Sequence, residues 1–284
     1  MTVDITSLGD VNVDLILKGG VRIEDPEDEQ KFIENCRIKI GGGAANFSIE
    51  AAKLGMKVRM IGSTGNDFFS EIIQEEFRKA NVEFRLKKLN VPTGITLALQ
   101  TDKDTKFLLT FLGNNKFFSI SDVELEAIEG EVLYLSGYNL LESLRKDIPK
   151  IVEYVKKKGM IVGMDPDIKG RLSFDKNEFF SLAKEIDILF INEQESKKIS
   201  NDTKWFKGRT LVIKKGSKGA VAFENKNKCE VEGIKLEGLV NTTGAGDVFN
   251  AAFLHHYYYG YDLQECLEFA NERAVEYIRE INSW

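Results

Sequence analysis

Val132-Leu133-Tyr134-Leu135-Ser136 is followed by Ile148-Pro149-Lys150-Ile151-Val152-Glu153-Tyr154-Val155-Lys156-Lys157-Lys158-Gly159 and then by Met160-Ile161-Val162-Gly163-Met164. The middle run repeats its apolar residues at helical spacing, with Pro149 in its first turn and Gly159 at its end. The runs on either side are short and apolar, as strands buried on both faces of a parallel sheet are. Working outward, Val3 to Leu8, Lys57 to Ile61, Ile188 to Ile191 and Leu211 to Ile213 are further runs of that kind. Between them Ala44 to Leu54 reads as a helix closed by Gly55, and Ser121 with Glu124 as an S-x-x-E capping box. Strand and helix alternate through most of the chain, which predicts an α/β fold with helices on both faces of a parallel sheet.

Two stretches break the rhythm. Val11 to Ile40 lacks a convincing helix over much of its length, and Arg85 to Phe118 reads as strands around the polar turn Asp102-Lys103-Asp104. Such excursions form either a lid over a site at the carboxyl ends of the strands or a plain surface hairpin. With no internal repeat and no interdomain linker, residues 1–284 read as a single domain, with lid segments at approximately 11–40 and 85–118.

The 284 residues, 43% hydrophobic and 30% charged, suffice for one large core. A net charge of -6, with lysines interspersed among glutamates, leaves no positive field for a phosphate backbone, so no nucleic-acid partner is expected. Cys36, Cys229 and Cys266 form no C-x-x-C pair and read as reduced, buried thiols. No apolar run reaches the roughly eighteen residues of a membrane span, and no signal-peptide pattern precedes the first strand. The expected compartment is the cytoplasm, without membrane contact.

Asn241-Thr242-Thr243-Gly244-Ala245-Gly246-Asp247-Val248-Phe249 leads into an apolar helix. Unpaired amides and the macrodipole make a helix N-terminus a seat for phosphate, and a carboxylate there stays ionised and accepts a proton from a hydroxyl. A glycine-rich turn with Asp247 as a capping residue is the plainer reading of the same segment. Gly41-Gly42-Gly43-Ala44-Ala45-Asn46 likewise puts glycines before a helix whose first turn displays an amide, either beside a small polar ligand or facing solvent. P-loop, dinucleotide and serine-hydrolase signatures are missing. His255 and His256 are adjacent in a helix, so they read as packing rather than a shared metal site.

These two segments resemble the G-G-x-x-x-N and D-T-x-G-A-G-D elements of the ribokinase/PfkB carbohydrate kinase family. Further matches follow in order: Gly9 to Asp14, Pro92-Thr93-Gly94, Asp165-Pro166-Asp167, Asn192 to Glu195, and Lys214 to Gly219. The resemblance runs from the first strand to roughly Ala274. It implies a ribokinase-like three-layer αβα sandwich with a small β-strand lid, and ATP-dependent phosphoryl transfer to a hydroxyl. Amides around Gly244, Ala245 and Gly246 are implied to hold the moving phosphoryl group, and Asp247 to act as base. Asn12, Asp14, Gly41, Gly42 and Asn46 are implied to bind substrate, and Lys214, Gly216, Gly219 and Thr243 the nucleotide. At Lys214 to Gly219 the role falls on the glycines rather than on the lysine charges. Asn192 and Glu195 are implied to hold magnesium (Mg2+) through water.

In substrate class, a small sugar or sugar-like molecule leads. A nucleoside is the alternative, since Lys215 to Gly219 and Tyr258 to Glu265 also look like those of archaeal nucleoside kinases. A catalytically silent ligand sensor is more remote, because a pure binder has no need of a base. A homodimer through the lid is a further expectation. Two departures stand out: Asn241 replaces the aspartate that usually opens the signature, and the chain lacks the usual glycine-containing tail. In many members those places help bind a monovalent cation, so weak dependence on potassium is expected here.

Overall fold

The computed structural model describes residues 2–18, 32–100, 106–168, 174–200, 202–225, 227–236 and 241–283. In chain order its elements are β1 (Ile5–Leu8), β2 (Asn12–Lys18), β3 (Asn35–Gly41), α1 (Gly43–Lys53), β4 (Val58–Thr64), α2 (Phe68–Lys79), β5 (Glu83–Lys88), β6 (Gly94–Gln100) and β7 (Lys106–Phe111). There follow α3 (Asn114–Phe117), β8 (Val132–Ser136), α4 (Ile148–Lys157), β9 (Ile161–Asp165), α5 (Lys176–Ala183), β10 (Ile188–Asn192), α6 (Glu193–Ile199), β11 (Thr210–Lys214), β12 (Ala220–Glu224), β13 (Asn227–Val231), α7 (Ala245–Tyr258) and α8 (Leu263–Asn282).

Strand side chains alternate between two cores. Val132 and Tyr134 join one cluster while Leu133 and Leu135 join the other, and Ile188 and Phe190 part from Leu189 and Ile191 in the same way. Both faces are apolar, which is why these strands read as unbroken apolar runs. Helices α1, α2, α7 and α8 cover the first face, and α4 and α5 the second. The result is a three-layer αβα sandwich. Its sheet runs in the order β13-β12-β11-β10-β9-β8-β1-β4-β5. The six expected central strands and β5 pair in parallel, and β12 and β13 add antiparallel at one edge. Chain order reverses between β1 and β8, so a ligand crevice belongs at their carboxyl ends, beside Gly9 and Gly137.

A second sheet has the order β3-β2-β6-β7, with β2 and β6 parallel and the outer pairs antiparallel. Two buried asparagines of α3 tie it to the body: Asn115 exchanges hydrogen bonds with the Val11 backbone at 3.0 and 3.1 Å, and Asn114 Oδ1 accepts from Gly94 N at 2.7 Å. Asn114 also donates to the Ser63 carbonyl at 2.7 Å.

Three readings need correction, and a fourth falls outside the described residues. The second excursion does not begin at Arg85: Glu83–Lys88 pairs with β4 in the main sheet, and the excursion starts at Gly94. The Asp102-Lys103-Asp104 turn lies outside the described residues. The capping box is formed by Ser119 and Asp122 around a single 3-10 turn, not by Ser121 and Glu124; both pairs have the right spacing, and the chain takes the earlier one. Of the three thiols only Cys266 is buried; Cys36 is exposed on the edge strand β3, and Cys229 is intermediate on the edge strand β13.

Candidate active site

Asp10 follows β1 and caps α1, its two carboxylate oxygens accepting from Gly43 N at 2.8 Å and Ala44 N at 3.3 Å. That capping forces the chain through Gly42 at φ 96, a conformation costly for other residues. A Cβ on Gly41 would strike the Asp14 carboxylate, and one on Gly43 would lie 3.3 Å from Asp247 Oδ1. The glycines therefore bring the N-terminus of α1 against both aspartates.

Asp247 sits in the first turn of α7 behind Gly244, which adopts the left-handed conformation at φ 83. Asn46 Nδ2, from the first turn of α1, donates to Asp247 Oδ2 at 2.9 Å. Two helix N-termini thus converge on one carboxylate, and both macrodipoles favour its charged form. The expected amide seat is only partly open, since Ala245 N already donates to the Thr242 carbonyl at 3.2 Å. The Gly246 amide, in the first turn of α7, has no hydrogen-bond partner among the described residues.

Asn12 and Asp14 lie on one face of β2, as alternation predicts, and are buried. Asn12 Nδ2 donates to Asp14 Oδ1 at 2.9 Å and to Thr96 Oγ1 at 3.3 Å. The structure thus brings together Asn12, Asp14, Gly41, Gly42, Asn46, Gly244, Gly246 and Asp247.

The remaining candidates sit farther along the sheet edge. Lys214 ends β11 and its ammonium donates to Asp165 Oδ2 at 2.7 Å and Asn250 Oδ1 at 3.0 Å. A Cβ on Gly246 would be 3.4 Å from that ammonium, so this lysine lies beneath the start of α7 rather than in an exposed turn. Asn250 extends the network to Tyr134 Oη at 2.9 Å, in the centre of the core. Gly216 has φ 60 and open space where a Cβ would be, whereas a Cβ on Gly219 would strike the Val231 carbonyl. Gly219 is accordingly required by the packing of β13 whatever it does for a ligand. Thr243 donates from N and Oγ1 to Asn241 Oδ1 at 3.0 and 2.8 Å, which shapes the loop.

Asn192 and Glu195 form a reciprocal capping box at the start of α6, at 2.8 and 2.9 Å. Glu195 also accepts from Ile168 N at 3.0 Å. Burial, and then the negative charge of Asp165, push its carboxyl up to about 7. Among the described residues no group of three or more His, Cys, Asp or Glu could cage a metal ion. The carboxyl groups of Asp165 and Glu195 are hard oxygen donors of the kind that take a hydrated divalent cation arriving with phosphates.

Sequence reasoning missed Asp10, Lys39, Tyr277 and Asn282. Tyr277, on α8, donates to the Thr243 carbonyl at 3.1 Å, and the Asn282 amide exchanges hydrogen bonds with the Asn241 backbone at 2.7 and 2.9 Å. Only Asp10 left a signal, as an acidic residue directly after a strand that faces a glycine run.

The chain thus presents a carboxylate between two helix N-termini, at the switch point of an α/β sheet. The chain belongs to the pfkB family of carbohydrate kinases, whose family model matches residues 3–283, and it is an ATP-dependent kinase of sugars or nucleosides. It is 28% identical to the ATP-dependent ribose-1-phosphate kinase of Halopiger xanaduensis, over 95% of this chain and 90% of that protein. It is 26% identical to the nucleoside kinase of Methanocaldococcus jannaschii, over 82% of this chain and 77% of that one. The adenosine kinase structure from Sinorhizobium meliloti superposes with a TM-score of 0.83 at 24% identity, covering 98% of this chain and 94% of that one. The fold is ribokinase-like. No helix among the described residues is long and apolar enough to cross a membrane.

Proposed function

We propose that the protein moves the γ-phosphoryl group of ATP onto a hydroxyl of a small sugar or sugar-like acceptor, with Asp247 as the general base. The observation that carries this reading is the placing of Asp247 between the N-termini of α1 and α7, with its Oδ2 held by Asn46. A carboxylate so held accepts the hydroxyl proton as the oxygen attacks phosphorus. Asp14 and Asn12, buried on the second sheet, are suited to grip the other hydroxyls, one as acceptor and one as donor and acceptor. The Gly246 amide and the N-terminus of α7 would face the equatorial oxygens, with Lys214 adding positive charge behind them. The open turn at Gly216 leaves room for the nucleotide. Magnesium, held through water by Asn192, Glu195 and Asp165, would neutralise charge between the phosphates.

The second sheet would serve as the lid of a single domain. Ile38, Leu109 and Phe111 are exposed on its face away from Asp14, which supports a homodimer through it. The proposed compartment is the cytoplasm, and the proposed partner is the small acceptor, without nucleic acid. The test is ADP formation with a panel of sugars, sugar acids, polyols and nucleosides. Turnover of nucleosides alone would move the acceptor class, and no ADP with any acceptor would remove the reading.

A further inference from the structure

Lys39 stands opposite Asp14 in the β2–β3 ladder, on the face of the second sheet that carries Asn12 and Asp14. Its ammonium donates to the Tyr277 hydroxyl at 3.2 Å and lies 5.1 Å from the centre of that ring. Tyr277 closes the space that a Cβ on Gly244 would need and bonds the Thr243 carbonyl. The ammonium is thereby fixed at a cleft lined by Asp14, Asn46, Thr243 and Tyr277, between the acceptor strand and the proposed base.

Charge balance sets this lysine apart. Arg59, Lys214 and Arg273, whose side chains are 9%, 15% and 13% exposed, each pair with a carboxylate at 3.0, 2.7 and 2.5 Å. Lys39 forms no ion pair among the described residues, and its hydrogen bond goes to a neutral phenol. Burial lowers its pKa, and Asp14 offsets that only in part. A covered ammonium with two donors unspent is a poor arrangement unless something anionic completes it.

We infer that Lys39 and Tyr277 read an anionic group on the acceptor, a carboxylate or a phosphate, so that the substrate is an acidic or phosphorylated sugar. The inference rests on the kinase reading above and narrows its substrate class. Lys39 extends from the strand that pairs with β2, opposite Asp14, whereas the amide seat for the transferred group is backed by Lys214. Its target is therefore the acceptor rather than ATP.

The experiment uses matched probes that differ in the anionic group: D-gluconate against D-sorbitol, and D-ribose 5-phosphate against D-ribose. Thermal shift with a non-hydrolysable ATP analogue reads binding without turnover, and ADP formation reads KM and kcat. The anionic member of one pair is expected to stabilise the wild-type protein more than its neutral counterpart, the pair itself telling carboxylate from phosphate. Lys39→Met is expected to erase that difference and to raise KM for the anionic member about tenfold relative to the neutral one, the low end for a charged hydrogen bond. Lys39→Arg should restore most of it. Preference for the neutral member of both pairs in the wild-type protein would overturn the inference. So would an equal loss of kcat on every acceptor in Lys39→Met, which would assign the lysine to the transferred phosphoryl group. Failure of the kinase reading looks different: no ADP forms, while the binding comparison still decides the role of Lys39.

Discussion

Asn46 and Asp247, 201 positions apart in sequence, meet at 2.9 Å where α1 and α7 begin. The amide donates to one carboxylate oxygen and fixes the plane of the group. Replacing Asp247 by Asn keeps the size of the side chain and one oxygen to accept from Asn46, but removes the basic site. Asp247→Asn should bind ATP normally and lose turnover by about 10²-fold to 10⁴-fold. A near-normal rate in the purified variant would remove Asp247 from the proposed role.

Asp14 is buried on β2 in the second sheet, whereas the α7 N-terminus proposed to seat phosphate belongs to the body. Asp14→Ala should therefore weaken acceptor binding by about 1.5 to 3 kcal/mol while leaving ATP binding far less affected. Calorimetric titration of each ligand checks this. Equal weakening of both would mark the residue as structural.

The loop that leads into α7 is held by neutral amides. Asn241 Oδ1 accepts from Thr243 N and Oγ1, and the Asn282 side chain takes both the N–H and the carbonyl of Asn241. An aspartate at position 241 would attract a nearby monovalent cation by about 4 kcal/mol at an effective dielectric of 20, and an asparagine forgoes that term. The initial rate should hold when potassium is exchanged for a bulky organic cation at constant ionic strength. A loss of about tenfold or more, restored by potassium alone, would show that the cation site survives.

His255 and His256 approach each other at 3.1 Å between their Nδ1 atoms, and His256 stacks on Phe269 with ring centres 3.8 Å apart. Burial lowers both pKa values, and the neighbouring ring lowers that of His255 further. Below the ordinary histidine value of about 6.5 the unfolded chain takes up protons that the folded one refuses, so stability falls as pH falls. Glu195, whose raised carboxyl makes the folded chain take up a proton first, contributes in the opposite sense over this range, so the comparison is between chains: in melting curves from pH 8 to pH 5 the wild type should lose stability relative to His256→Phe. An identical slope in the variant would count against the pair as its source.

The sheet was legible because its strands are buried on both faces and announce themselves as apolar runs; all six expected central strands are present. Segments governed by choices between near-equal local options were not. Ser119 and Ser121 both precede an acidic residue at the capping distance, and nothing local favours one over the other. Glu83–Lys88 carries charges on an edge strand, so it reads as part of the excursion that follows it. The glycine runs were visible because they need unusual backbone. Contacts such as Lys39 with Tyr277, 238 positions apart, leave no periodic trace in a single chain.

Asn114 and Asn115 hold both crossings into the second sheet at one place, and at the first crossing they bond only to the backbone of Val11. An attachment of that kind is indifferent to the side chain it grips. The strands beyond it can exchange their inward-facing residues, Asp14, Lys39 and Thr96 among them, without disturbing the anchorage. Exchange of Lys39 is felt in the body as well, through Tyr277 and the Thr243 carbonyl. On the proposed reading, acceptor choice is therefore carried by a separable cassette, on which a new specificity can be written while the Asn46–Asp247 pair is kept.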